Sequence, residues 1–134
     1  MNNYNNPNGY LLLFRGTDWH KELSPEEIQR IMGEWGSWFD RLEREGKLAA
    51  ANPLENECVT ISGKARAVAD GPFAESKEAV GGFFLLTVET MEEALAIGKE
   101  CPALPYGLTV EVRPVAPACP VGRMLKDVEA TALA

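Results

Sequence analysis

Two short apolar runs, each followed by a well-marked helix start, constrain this chain more than anything else in it. Tyr10-Leu11-Leu12-Leu13-Phe14 is apolar at every position, and Gly82-Phe83-Phe84-Leu85-Leu86-Thr87-Val88-Glu89 is nearly so. A strand buried on both faces loses its apolar–polar alternation and reads as such a run. After the first run, Ser24-Pro25-Glu26-Glu27 supplies an N-cap serine, a proline at the first helical position and a glutamate at the third, the capping-box pattern. Leu23 and Ile28 flank it as a hydrophobic staple. Thr90-Met91-Glu92-Glu93 repeats the signature after the second run. A strand followed by a capped helix is thus written twice.

Ile28, Ile31, Met32, Trp35, Trp38, Phe39 and Leu42 recur at helical spacing and predict one helix with a single buried face, stopped by Gly46. Gly33 and Gly36 weaken that helix relative to alanine, either for close packing or as a tolerated cost. A loop containing Asn52-Pro53 follows. Cys58 to Ser62 and Ala65 to Ala69, joined by Gly63-Lys64, predict a β-hairpin. The second helix stops near Cys101-Pro102. Leu108, Val110 and Val112 alternate with polar residues in a last strand closed by Pro114, and a short helix is expected around Met124 to Leu133.

The order β-α-β-β-β-α-β predicts an α+β fold, a ferredoxin-like sheet with its helices on one face. A chain of 134 residues makes one domain, here residues 10–115, with an asparagine-rich flexible tail at 1–9 and an extension at 116–134. The apolar runs ask for cover on the second sheet face too, and two helices cover only one. A second copy of the chain packed sheet to sheet, a homodimer, answers that need.

The formal net charge is −7, with no basic stripe for a phosphate backbone, so nucleic acid is not an expected direct partner. No apolar run spans a bilayer and no signal-peptide pattern opens the chain, so no membrane partner and a cytoplasmic location are expected. Cys58, Cys101 and Cys119 form no C-x-x-C pair and stand with one histidine, so no metal or other cofactor is expected and the thiols read as reduced core filler. Phosphate loops, nucleophile elbows and nucleotide fingerprints are missing, which excludes kinase, hydrolase and Rossmann readings.

Asp70-Gly71-Pro72-Phe73-Ala74-Glu75-Ser76-Lys77-Glu78 resembles the signature of the YCII-related proteins of the DGPF type. The initial YLLLF strand, the Ser-Pro-Glu-Glu helix start, Gly81 to Leu86, Cys101-Pro102 and Val110 to Pro114 extend the resemblance over residues 10 to 115. The resemblance implies a dimeric α+β barrel without a settled activity. It also implies a regulatory role, through a sigma factor of the extracytoplasmic-function type or another protein partner. A histidine in the first helix and a following aspartate, proposed as a catalytic pair in the YCII branch, have no counterpart here. The first helix carries Trp35 and Trp38, and the segment after it reads Asn52-Pro53-Leu54-Glu55.

Asp70-Gly71-Pro72 has the composition of a tight turn, so Asp70 is either structural or a reacting carboxylate. Glu75 and Lys77 read as solvated loop charges that can pair. His20 carries the only side chain with an unperturbed pKa near neutrality and follows the first strand, where a sheet end lines a cleft. Arg15 and Arg113 pair with carboxylates or anchor an anionic ligand group. Trp35, Trp38 and Phe73 pack the core or wall an apolar cavity. Three functions remain open: a homodimer binding a small, partly apolar or anionic ligand; an acid/base enzyme without a cofactor that uses Asp70 and His20; and a protein-interaction module.

Overall fold

The computed structural model describes residues 7–72, 76 and 78–133, the last three by their backbone. Along the chain run β1 (Tyr10–Arg15), α1 (Pro25–Arg44), β2 (Leu48–Pro53), β3 (Val59–Ser62), β4 (Ala67–Asp70), β5 (Val80–Leu86), α2 (Met91–Gly98), β6 (Thr109–Pro114) and α3 (Pro120–Leu133). Four strands make an antiparallel sheet in the order β2-β5-β1-β6, the ferredoxin-like arrangement, open at both edges and not closed into a barrel.

Both helices start at the predicted caps, with the full capping box at α1 and the N-cap half of it at α2. The Ser24 hydroxyl accepts from the Glu27 amide and the Glu27 carboxylate accepts from the Ser24 amide, each at 3.2 Å, which satisfies two of the donors that a helix start leaves unpaired. Thr90 caps α2 by accepting from the Glu93 amide. Trp38 and Leu42 of α1, with Ala94 and Ile97 of α2, bury their faces against Tyr10, Leu12 and Phe14 of β1 and Phe84 and Leu86 of β5. α2 packs on β6 at Gly98, where a Cβ would lie 3.5 Å from Val110 and 3.7 Å from Val112, ordinary contact distances that do not demand glycine.

Besides α3, which starts at Pro120 rather than near Met124, the fold departs from the sequence reading in three places. Leu48–Pro53, read as a loop, is the edge strand beside β5. Its alanines are weak strand formers, and a register shift between Leu48 and Ala50 breaks the two-residue period. The β3–β4 hairpin forms as expected but stands apart as its own two-stranded sheet, with every strand residue exposed. Finally, the apolar runs are buried on one face only. Tyr10, Leu12 and Phe14 are buried, whereas Leu11, Leu13 and Arg15 are half-buried on the face that α1 and α2 leave open.

Candidate functional site

The ends of β1, β2 and β5 leave a cavity of about 560 Å³ beneath α1. Phe14 is the last inward-facing residue of β1, and Phe84 stands beside it on β5. One face of α1 supplies Met32, Trp35, Gly36 and Phe39. The segment after β1 brings Thr17, Trp19 and His20, and the exit from β2 brings Asn52, Pro53, Leu54 and Asn56.

Two glycines allow these segments to meet. A Cβ on Gly82 would come within 3.0 Å of the Asn52 carbonyl oxygen, so glycine admits β2 at that point. A Cβ on Gly81 would stand 2.8 Å from Thr17 Cγ2, so the segment after β1 can close against β5.

The lining is mainly aromatic. Phe14 packs edge to face on Trp35, with ring centroids 5.0 Å apart, and on Phe84 at 4.9 Å. Phe39 meets Phe84 at 5.9 Å. These are favourable quadrupole geometries, and they fix the rings that wall the space. Among the described lining residues none is Asp, Glu, Lys or Arg. Besides the indole N–H groups of Trp19 and Trp35, the hydrogen-bonding side chains are those of Thr17, His20, Asn52 and Asn56, and the last three are exposed, which places them towards solvent.

The structure distributes the candidate residues over several settings. His20 lines the cavity, its ring 5.6 Å from that of Trp19, and Trp35 walls it. Trp38 lies in the core at 5% exposure, and its Nε1 has no hydrogen-bond partner among the described residues. Arg15 points to the open sheet face, where its Nη1 lies 2.7 Å from Glu111 Oε1; Arg113, across from Leu11, reaches the other oxygen of the same carboxylate at 3.5 Å. Asp70 ends β4 opposite Val59, exposed and outside the described cavity lining. Gly71 is buried; its amide donates to the Cys58 carbonyl, and the Cys58 thiol donates to the Gly71 carbonyl, both at 2.9 Å. Phe73, Ala74, Glu75 and Lys77 lie outside the described residues.

Cys58 and Cys119 are exposed, contrary to the core-filler reading, which holds for Cys101 alone. Burial pushes the Cys101 thiol up to about 11. Backbone hydrogen bonds from Gly122 and Val121 at the start of α3 lower the pKa of Cys119. Among the described residues no cluster of His, Cys, Asp and Glu is arranged for a metal ion, and no helix is long and apolar enough to cross a membrane.

Trp19, Phe39 and Gly36 belong to the cavity although the sequence reading did not assign them to it. A tryptophan in an otherwise polar segment beside His20 was a usable signal; Phe39 and Gly36 were hidden in the helical stripe.

Fold and cavity together define an α+β domain of ferredoxin-like topology with an inserted hairpin and an aromatic pocket at one sheet end. The chain matches the model of the YCII-related domain over residues 6–118 and belongs to that family. It is also similar to an uncharacterized protein, R00369, of Rhizobium meliloti (strain 1021). The two are 33% identical over 98 residues, which cover 69% of this chain and 79% of that protein.

Proposed function

We propose that the protein is a homodimer that binds a small, largely apolar molecule in the cavity beneath α1. The cavity itself carries this reading. At about 560 Å³ it falls within the range of ordinary small-molecule sites, roughly 300–1,000 Å³. Its rings are pre-positioned, and His20, Asn52 and Asn56 lie towards solvent, where they can orient a bound molecule. A proton-transfer reaction between His20 and Asp70 receives less support, because Asp70 is outside the described lining and His20 is the only lining residue there that is an ordinary acid/base group.

The dimer is supported by the open sheet face, where Leu11, Leu13, Phe83 and Leu85 form a half-buried apolar stripe. A second copy would cover it by the sheet-on-sheet packing common in β proteins. A thermal-shift screen of metabolites, run well above plausible dissociation constants, tests binding: ligands raise the midpoint by mass action. A screen in which nothing shifts it rejects the reading.

A further inference from the structure

Within that ligand-binding reading, we propose that the cavity selects an uncharged, flat aromatic or heteroaromatic molecule carrying one neutral polar group. Three observations lead there. The first is the ring arrangement. Phe14, Trp35, Phe39 and Phe84 meet edge to face, with interplanar angles of 69°, 87° and 64° for the successive pairs Phe14–Trp35, Phe14–Phe84 and Phe39–Phe84. Rings held this way offer both faces and edges to the space between them, and a further flat ring continues the same packing with opposite partial charges in contact.

The second is charge. No Asp, Glu, Lys or Arg is among the described lining residues, and the nearest arginine along the chain, Arg15, is engaged by Glu111 on the opposite face of the sheet. An ionised group carried to the aromatic side would leave water without meeting a counter-charge among the described lining residues, which is strongly unfavourable. A neutral amide, hydroxyl or carbonyl instead finds partners in His20, Asn52 and Asn56 on the solvent side, while its ring stays on the aromatic side.

The third is Gly36. It occupies the middle of α1, where glycine costs helix stability relative to alanine. No packing requires it, because a Cβ built there meets nothing within 4 Å. Yet Gly36 lines the cavity. Because Gly36 is on the cavity wall, the open space that a side chain here would enter adjoins the cavity, and glycine leaves that space to a ligand.

The test titrates the full chain with three probes sharing one ring system, 2-naphthamide, 2-naphthoate and 2-naphthylmethylammonium, and with the non-aromatic cyclohexanecarboxamide. Binding is read from the indole N–H signals of the tryptophans by NMR. The amide is expected to shift the Trp35 and Trp19 signals and to bind at least tenfold more tightly than the anion, the cation or the alicyclic amide. Gly36→Leu is expected to weaken it at least tenfold without lowering the thermal midpoint, and Gly36→Ala to weaken it less.

Equal or tighter binding of naphthoate or the ammonium probe overturns the charge preference while the ligand-binding reading stands. Equal binding of the alicyclic amide overturns the aromatic preference in the same way. If 2-naphthamide binds as well to both folded Gly36 variants, its site is elsewhere and the inference fails. If none of the four probes moves a signal, this inference fails, and the metabolite thermal-shift screen decides the broader ligand-binding reading separately.

Discussion

Leu13 of β1 stands opposite Phe83 of β5, on the sheet face that neither packed helix covers. Glu111, across from Leu13 on the other side, and its partner Arg15 border the same stripe. An apolar centre with a polar margin is the anatomy of an interface between proteins. Leu13→Glu places a charge at that centre while leaving the helix-facing core untouched. The wild-type chain is expected to have the mass of two copies by light scattering at micromolar concentration, and the variant that of one, with its secondary structure retained. A monomeric wild type rejects the dimer.

Trp38 packs tightly against Phe84, with ring centroids 4.9 Å apart, and its Nε1 hydrogen has no acceptor among the described residues. A buried unpaired donor costs about 1–3 kcal/mol, so Trp38→Phe removes a penalty together with some packing. The two effects largely cancel, and the expected change in unfolding free energy is under about 1.5 kcal/mol. Trp38→Ala leaves a cavity in the core and is expected to cost about 3–5 kcal/mol. Urea unfolding of the two variants separates these cases.

The elements that carried their own local signals were readable from sequence: β1 and β5 from apolar runs, α1 and α2 from capping residues that form the predicted hydrogen bonds. β2 was not readable, because its pairing with β5 is a long-range backbone interaction and its alanines carry no pattern of their own. The site followed the same division. His20 and Trp35 stood out as residue types, but the cavity arises only when α1 settles over the sheet and Gly81 and Gly82 admit their neighbours. Arg15 shows what simple strand geometry offers. With Phe14 turned inward, the two-residue period of the strand turns Arg15 to the opposite face, away from the cavity.

Gly9 and Gly33 make a matched pair for testing backbone requirements. Gly9 has φ +83°, and a Cβ there would overlap the Leu86 carbonyl oxygen. Alanine must therefore both strain the backbone and push β5 away, at an expected cost of at least about 1–3 kcal/mol. Gly33 is exposed in α1 with nothing within 4 Å of its would-be Cβ. Gly33→Ala is expected to stabilise the chain by about 0.5–1 kcal/mol. Opposite signs in thermal melts confirm the contrast, and a stabilising Gly9→Ala refutes it.

The Ser24–Glu27 capping box is expected to carry a measurable share of the stability of α1. Ser24→Ala removes the acceptor for the Glu27 amide at an exposed helix start, where no packing compensates. The expected loss is about 1 kcal/mol, and Ser24→Asp, which restores an acceptor and adds a favourable charge at the helix N-terminus, is expected to recover most of it. Equal stability of Ser24→Ala and wild type in urea would show that the cap is idle.

Cys101 predicts a loss of stability at alkaline pH. Its thiol is buried in the hydrophobic core just after α2, and burial raises its pKa from 9.0 to about 11. Below pH 9 the thiol is protonated in both folded and unfolded chains and favours neither. Between 9 and 11 the unfolded chain releases the proton while the folded chain retains it, so ionisation draws the equilibrium towards unfolding. The contribution is lost progressively as pH rises through the folded value, to a total of about 2–3 kcal/mol from a shift of this size. Cys101→Ala lacks this titration. Its overall stability is lower because a buried sulfur is gone, but its decline from pH 9 to 11 is expected to be shallower than that of the wild type, the tyrosine and lysine titrations being common to both. Parallel declines in the two proteins would show that the buried thiol is not the source.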